Sequence, residues 1–137
     1  MRELLFRGQT RRKGEKVRLD GTPIDSNWVY GGVAQLNEER AMIYQTEPNF
    51  QKFAVYADTV GQYTGLKDKN GKRIFEGDIV RSTETSEIGI VQWFTEHSAF
   101  MVWCPVPNQV GFLYECSTIV EAVGNVHDNR LEDFYGR

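Results

Sequence analysis

The sequence predicts a mostly β fold, a sandwich or small barrel, and three observations carry that expectation. Aromatic residues make up 12% of the 137 residues, and aromatic and β-branched side chains fit a pleated, half-buried surface. Short apolar runs alternate with Gly, Asn, Asp and Pro turn signals, as in the short strands of a sandwich or barrel. No segment sustains the apolar period of a long amphipathic helix. A chain of this length buries a core without metals or disulfides. With 40% hydrophobic and 26% charged residues it has a globular composition.

The elements follow in order. Residues 3–6 read as a short strand. Residues 7–18 carry six basic side chains, Arg7, Arg11, Arg12, Lys13, Lys16 and Arg18, and one acid, and are expected as a mobile basic loop turning near Lys13-Gly14. Residues 28–34 form a strand interrupted by Gly31 and Gly32, where glycine marks a bulge or a close backbone approach. A polar turn at residues 37–40 and a return over 41–44 make residues 28–45 a hairpin. Residues 47–49 are a loop, and 53–56 are a further strand. Asn70-Gly71 is a strong two-residue hairpin signal, because both positions tolerate positive φ; Leu66 flanks it on one side and Ile74-Phe75 on the other. Glu76-Gly77-Asp78 is a second turn, and Ile79-Val80 starts a strand.

After a polar loop at 82–87, residues 88–94 are a strand with Ile90 and Phe94 on one face and Val91 and Trp93 on the other. Residues 95–98 turn and residues 100–104 return. Pro105, Pro107 and Asn108 break the strand, residues 111–116 resume β character, and residues 118–123 form another strand that ends at Gly124-Asn125. Residues 128–134 read as a short helical turn capped by Asp128 or Asn129.

The formal net charge of −3 gives little long-range attraction to phosphate and argues against a non-specific nucleic-acid coat protein. Cys104 and Cys116 stand among apolar residues and are expected as reduced, structural thiols that behave as small hydrophobes. The N-terminal segment shows no apolar signal region. No stretch approaches the ~18 apolar residues of a membrane span, so the expected location is the cytoplasm, with no membrane partner.

The run TVGQYTGLKDKNGKRIFEGDIV (residues 59–80) resembles the signature of the YopX family. The ending IVEAVGNVHDNRLEDF (residues 119–134) is similar to that family's closing segment, and RELLFRGQ and WVYGG match its layout. The resemblance implies a protein of bacterial phages or prophages. It also implies an SH3-like small barrel core over residues 61–137, with a β-rich N-terminal arm over residues 1–60. It carries over no biochemical function and no catalytic residue. The sequence departs from the family layout mainly in the basic segment of residues 7–18.

Several chemistries compete with plain structural readings. Asp68 and Asn70 are oxygen ligands, but the twelfth position counted from Asp68 is Ile79, where a calcium loop needs a bidentate Glu; the segment reads as a hairpin turn. Glu76 and Asp78 form a carboxylate pair that reads as a turn whose Asp bonds backbone amides. His97 and His127, with the two cysteines, lack the close spacing of a zinc site. No nucleophile elbow, activated cysteine or phosphate loop is present. No metal, no cofactor and no enzymatic activity are expected.

Two basic turns are the best binding candidates. Arg11, Arg12 and Lys13 stand on one; Lys67, Lys69, Lys72 and Arg73 stand on the other, with Tyr63 beside them, and Trp28 and Tyr30 are secondary contacts. The aromatics Trp93, Phe94, Phe100, Trp103, Phe112 and Tyr114 are expected mostly in the core, with a second aromatic face that invites self-association. The favoured reading is a non-enzymatic protein-binding module in the bacterial cytoplasm, with an unidentified protein or a second copy as partner. The alternatives are a nucleic-acid-binding accessory protein using residues 7–18 and 67–73, and a self-assembling structural protein.

Overall fold

Antiparallel pairing organises the chain, as its β-rich composition predicts, and it does so in two sheets. A computed structural model describes residues 3–15 and 27–135. The chain falls into two units, Met1–Gln62 and Tyr63–Arg137.

The first unit holds β1 (Phe6–Arg11), β2 (Asn27–Gln35), β3 (Arg40–Gln45) and β4 (Gln51–Tyr56), in spatial order β4-β3-β2-β1. The first residues of β5 (Gly61–Lys67) also pair with β1, Gly61 with Arg7 and Gln62 with Phe6. The expected hairpin at residues 28–45 is β2 and β3, joined where Asn37 Oδ1 accepts the Glu39 and Arg40 amides at 2.8 Å each. Alternation sends Val29, Ala41, Ile43 and Val55 into a shared apolar core.

The N-terminal expectation is corrected. The strand is not residues 3–6 but Phe6–Arg11, so much of the anticipated basic loop is sheet. Arg7, Gly8 and Gln9 are buried. The Gln9 amide donates to Thr59 Oγ1 at 2.9 Å, and a Cβ on Gly8 would stand 2.8 Å from Val55 Cγ2. Glycine permits that approach where any larger residue would push the strands apart. A short turn follows, with the Glu15 amide on Arg12 O at 3.0 Å and Gly14 at φ 79°. Lys16 and Arg18 lie outside the described residues.

In the second unit the rest of β5 pairs with β6 (Arg73–Phe75), Tyr63 opposite Phe75 and Lys67 opposite Arg73. There follow β7 (Asp78–Ser82), β8 (Ile88–Phe94), β9 (Ala99–Cys104), β10 (Gln109–Phe112), the helical turn α1 (Leu113–Cys116) and β11 (Val120–Asn125). Their order, β10-β9-β8-β7-β11, leaves β10 and β11 at opposite edges. The expected small barrel does not close among the described residues: residues 113–119 turn helical where a strand over 111–116 was anticipated. The final helical turn is Leu131–Phe134, and its N-cap is Arg130, whose amide donates to Asp133 Oδ2 at 3.1 Å. The side chains of Asn125 and Asn129 are taken up in the preceding turn, on the amides of His127 and Asp128 and of Asn125 respectively.

The core of this unit is aliphatic. Ile74, Val80, Val91, Val102, Leu113 and Val120 are buried, and Phe100 is the one aromatic among them. Trp93 and Tyr114 are exposed, and Phe94, Trp103 and Phe112 are half-buried, so the expectation of an aromatic core is corrected. Trp93 shares the core-side face with Val91 and Phe100, its cross-strand partner, and lies edge-on to that ring at 5.1 Å at the margin of the core, whereas Phe94 and Trp103 take the opposite face.

Asp68 ties this unit together. Its Oδ1 accepts the Asn70 and Lys72 amides at 2.8 and 2.9 Å, and its Oδ2 accepts the Ala122 amide of β11 at 2.9 Å. The anticipated turn, with both Asn70 and Gly71 at positive φ, is replaced by one in which only Gly71 is left-handed, at φ 81°. The Gly71 amide bonds Asp68 O and the Asp68 amide bonds Lys72 O, as in a three-residue loop with a bulge. Burial alone would raise the Asp68 pKa, but the three amide donors outweigh it and hold the carboxyl below its ordinary value. The carboxylate is therefore more acidic folded than unfolded. Its contribution is full above the unfolded pKa and lost as pH falls through the folded one. Asp68→Asn should cost about 2–3 kcal/mol in urea denaturation at neutral pH. The gap between the two proteins should narrow as the wild type is titrated below about pH 4; a gap independent of pH contradicts this role.

Candidate functional site

The sequence-predicted residues divide between the units. In the first, Arg11, Arg12 and Lys13 are exposed at the end of β1 and the turn after it. Arg12 is engaged: its Nη2 reaches both carboxylate oxygens of Asp58 at 2.9 and 3.1 Å, and its guanidinium lies 4.1 Å from the Tyr56 ring centroid. Arg40 lies 4.0 Å from the same ring. The Tyr56 hydroxyl donates to Glu15 Oε1 at 2.7 Å, and this bond, with one from the Arg12 amide, holds the Glu15 carboxyl below its ordinary range. Trp28 is half-buried beneath the Arg7 guanidinium, 4.7 Å away, and Tyr30 is exposed on β2. In the second unit, Lys67, Lys69, Lys72 and Arg73 are exposed around the 68–72 turn, but Tyr63 is buried against Phe75 at 5.6 Å.

Of the carboxylates weighed for chemistry, Asp68 and Asp78 are occupied by main chain. Asp78 is buried and accepts the Phe75 amide at 2.8 Å, as a turn-forming Asp does. His97 stacks edge-on against Phe112 at 5.7 Å. Among the described residues no three His, Cys, Asp or Glu side chains gather to hold a metal ion, and no helix is long and apolar enough to cross a membrane.

A cleft that sequence reasoning did not single out lies in the second unit, with a volume of about 260 Å³. Its apolar floor is Val80, Val102 and Val120, with Cys104, Cys116 and Ile119 around them. Gly89 keeps the floor low: a Cβ there would collide with Val102 Cγ1 and stand 3.0 Å from Cys104 Sγ. One wall is the β7–β8 connection carrying Glu84 and Glu87. Ser82 Oγ accepts the Glu84 and Thr85 amides at 3.2 Å each, and both the amide and the hydroxyl of Thr83 bond Ile119 O at 2.8 Å. The wall is thereby fixed before anything binds. The other wall is β10, with Gln109, Val110 and Gly111 lining the cleft. Val106, Val110 and Tyr114, in and next to β10 along the chain, are 64%, 48% and 63% exposed.

Both cysteines are free, as expected. Burial, then the Glu87 carboxylate and Cys116, raise the Cys104 thiol pKa; burial, then Glu115, raise that of Cys116. Neither forms an appreciable thiolate at neutral pH, so both present apolar surface rather than nucleophiles. Only the alternation of small residues in GIVQWF and MVWC hinted at this floor, and nothing in the sequence showed that β10 and residues 113–119 would stand apart over it.

The fold and site define a small two-unit antiparallel β protein with an apolar, acid-walled cleft at a sheet edge. The family model described as YopX protein matches residues 6–132, and the chain belongs to the YopX family. No curated protein matches it.

Two glycines of the cleft separate its construction from its opening. Gly89→Ala should lower stability by about 1–3 kcal/mol through overpacking. Gly111→Ala, whose Cβ meets nothing within 4 Å, should change it by no more than about 0.5 kcal/mol. Thermal denaturation of both variants checks the contrast, and equal losses contradict the described floor.

Proposed function

We propose that this chain is a non-enzymatic protein-binding module that docks a segment of a protein partner in the cleft beside β10. The observation that carries the reading is the conjunction of an apolar floor, a braced wall and an exposed sheet edge with apolar neighbours. At about 260 Å³ the cleft is below the roughly 300–1,000 Å³ of small-molecule pockets and suits a few side chains of a polypeptide. The carboxylates of Asp68 and Asp78 are spent on backbone amides, and protonated thiols are poor nucleophiles; both favour binding over catalysis. A phage or prophage setting in the bacterial cytoplasm, which the resemblance implies, goes with this reading.

A nucleic-acid role rests on the four exposed cations of the 67–73 hairpin, without the stacking ring anticipated for it, because Tyr63 is buried. A mobility shift of labelled DNA or RNA that weakens with salt would support that role. Self-assembly would use exposed rings such as Phe50, 6.1 Å from Tyr44.

Gly111→Trp tests docking directly, because it places a ring over the opening from a position with free space. In parallel captures from bacterial host lysate, a protein retained by the wild type should be lost on the variant while the two melt alike. Identical retained sets would place docking elsewhere.

A further inference from the structure

We infer that the occupant of this cleft is an extended, cationic segment of a partner protein that adds a strand to the free edge of β10, an inference that rests on the docking reading above.

The backbone makes the first part of the case. Among the described residues β10 pairs with β9 alone, over four successive register positions from Gln109 opposite Cys104 to Phe112 opposite Met101, with no bulge. Gln109, Val110 and Gly111 are exposed. Sheet edges are ordinarily blunted by lysine, proline, bulges or a covering element. The four residues Gln109–Phe112 contain no charge and no proline. Shortness is the one blunting device this four-residue edge has, and without charge, proline or bulge its outer backbone groups stay open to pairing, the arrangement that strand addition uses.

Side chains make the second part. An added strand sends alternate side chains to one face, and the apolar floor lies beside this edge. The cleft's volume of about 260 Å³ admits aliphatic side chains of that strand.

Charge makes the third part. Every charged residue that lines the cleft is a carboxylate, Glu84 and Glu87, and no Lys, Arg or His lines it. Glu115 stands near enough to Cys116 to act on its thiol. The nearby Lys69 meets the start of β11 through its amide, 2.9 Å from Val120 O, but is not among the lining residues. Carboxylates beside an apolar floor select a segment in which aliphatic residues are interspersed with Lys or Arg, and they repel an acidic one.

The test is a display selection of random peptides on the full chain, followed by synthesis of the enriched sequences and fluorescence anisotropy. The expected pool is rich in Lys or Arg alternating with aliphatic residues. Its members should lose binding to Gly111→Trp, weaken about five- to tenfold on Glu84→Gln/Glu87→Gln, and fail when alternate peptide nitrogens are methylated to block strand pairing. Peptides that depend on the cleft yet are neutral or acidic, or tolerate methylation, leave the docking reading standing and overturn this inference. Peptides that bind Gly111→Trp as well as wild type, or no enrichment at all, overturn both. A dimer by sedimentation that Gly111→Trp converts to monomer would assign the cleft to a second copy, and would likewise overturn the cationic segment.

Discussion

The architecture of the second unit depends on the burial of one side chain, Leu113. It is fully buried at the first position of α1, among the residues that form the aliphatic core, and burying a leucine contributes about 2–3 kcal/mol. To place it there the chain leaves the extended conformation after Phe112, and β10 ends. The Cys116 thiol donates to Phe112 O at 3.6 Å, and Ser117–Ile119 continues as a second tight turn. When the chain resumes as β11 it pairs with β7, at the opposite edge from β10. The sheet therefore stays open, and the space beside the helical crossing is the cleft.

The division of side chains between the two faces follows from the same geometry. The core face takes valines, Leu113, Phe100 and one glycine, and β8 and β9 approach closely where Gly89 stands against Val102. Phe94 and Trp103 fall on the opposite face by alternation, and the Phe112 ring centroid lies 5.3 Å from that of Tyr114 and 5.7 Å from that of His97. Electrostatics is arranged in an equally local manner. Asp68 and Asp78 are buried where amides meet them, and Glu84 and Glu87 stand at the cleft. Lys67, Lys69, Lys72 and Arg73 of the neighbouring hairpin are exposed. A net charge of −3 conceals this separation.

Much of the fold was legible because strand alternation and turn chemistry are local. The β2–β3 hairpin, β8, β9 and the Glu76-Gly77-Asp78 turn appear where residue types place them. Three features were not legible. FRGQTR lacks apolar alternation, and it becomes a strand only because β2 pairs along it and Thr59 receives the Gln9 amide. Asp68 looked like a turn residue, but its bond to Ala122 spans 54 positions, which no local pattern encodes. FLYEC has strand-like composition, yet the core's demand for Leu113 overrides it. The site was illegible for a further reason: charge and aromatic content single out the hairpin cations and Tyr63, whereas the cleft is built largely from valines, glycines and two unreactive thiols.

Amide hydrogen exchange on the isolated chain, read residue by residue, tests most directly whether β10 is an open edge rather than a covered one. The β10 amides directed away from β9 should exchange nearly as fast as those of a loop, while the amides of β8 and β9 within the sheet should be strongly protected. Uniform strong protection across Gln109–Phe112 would show that something of the chain's own already covers this edge, and would contradict the account.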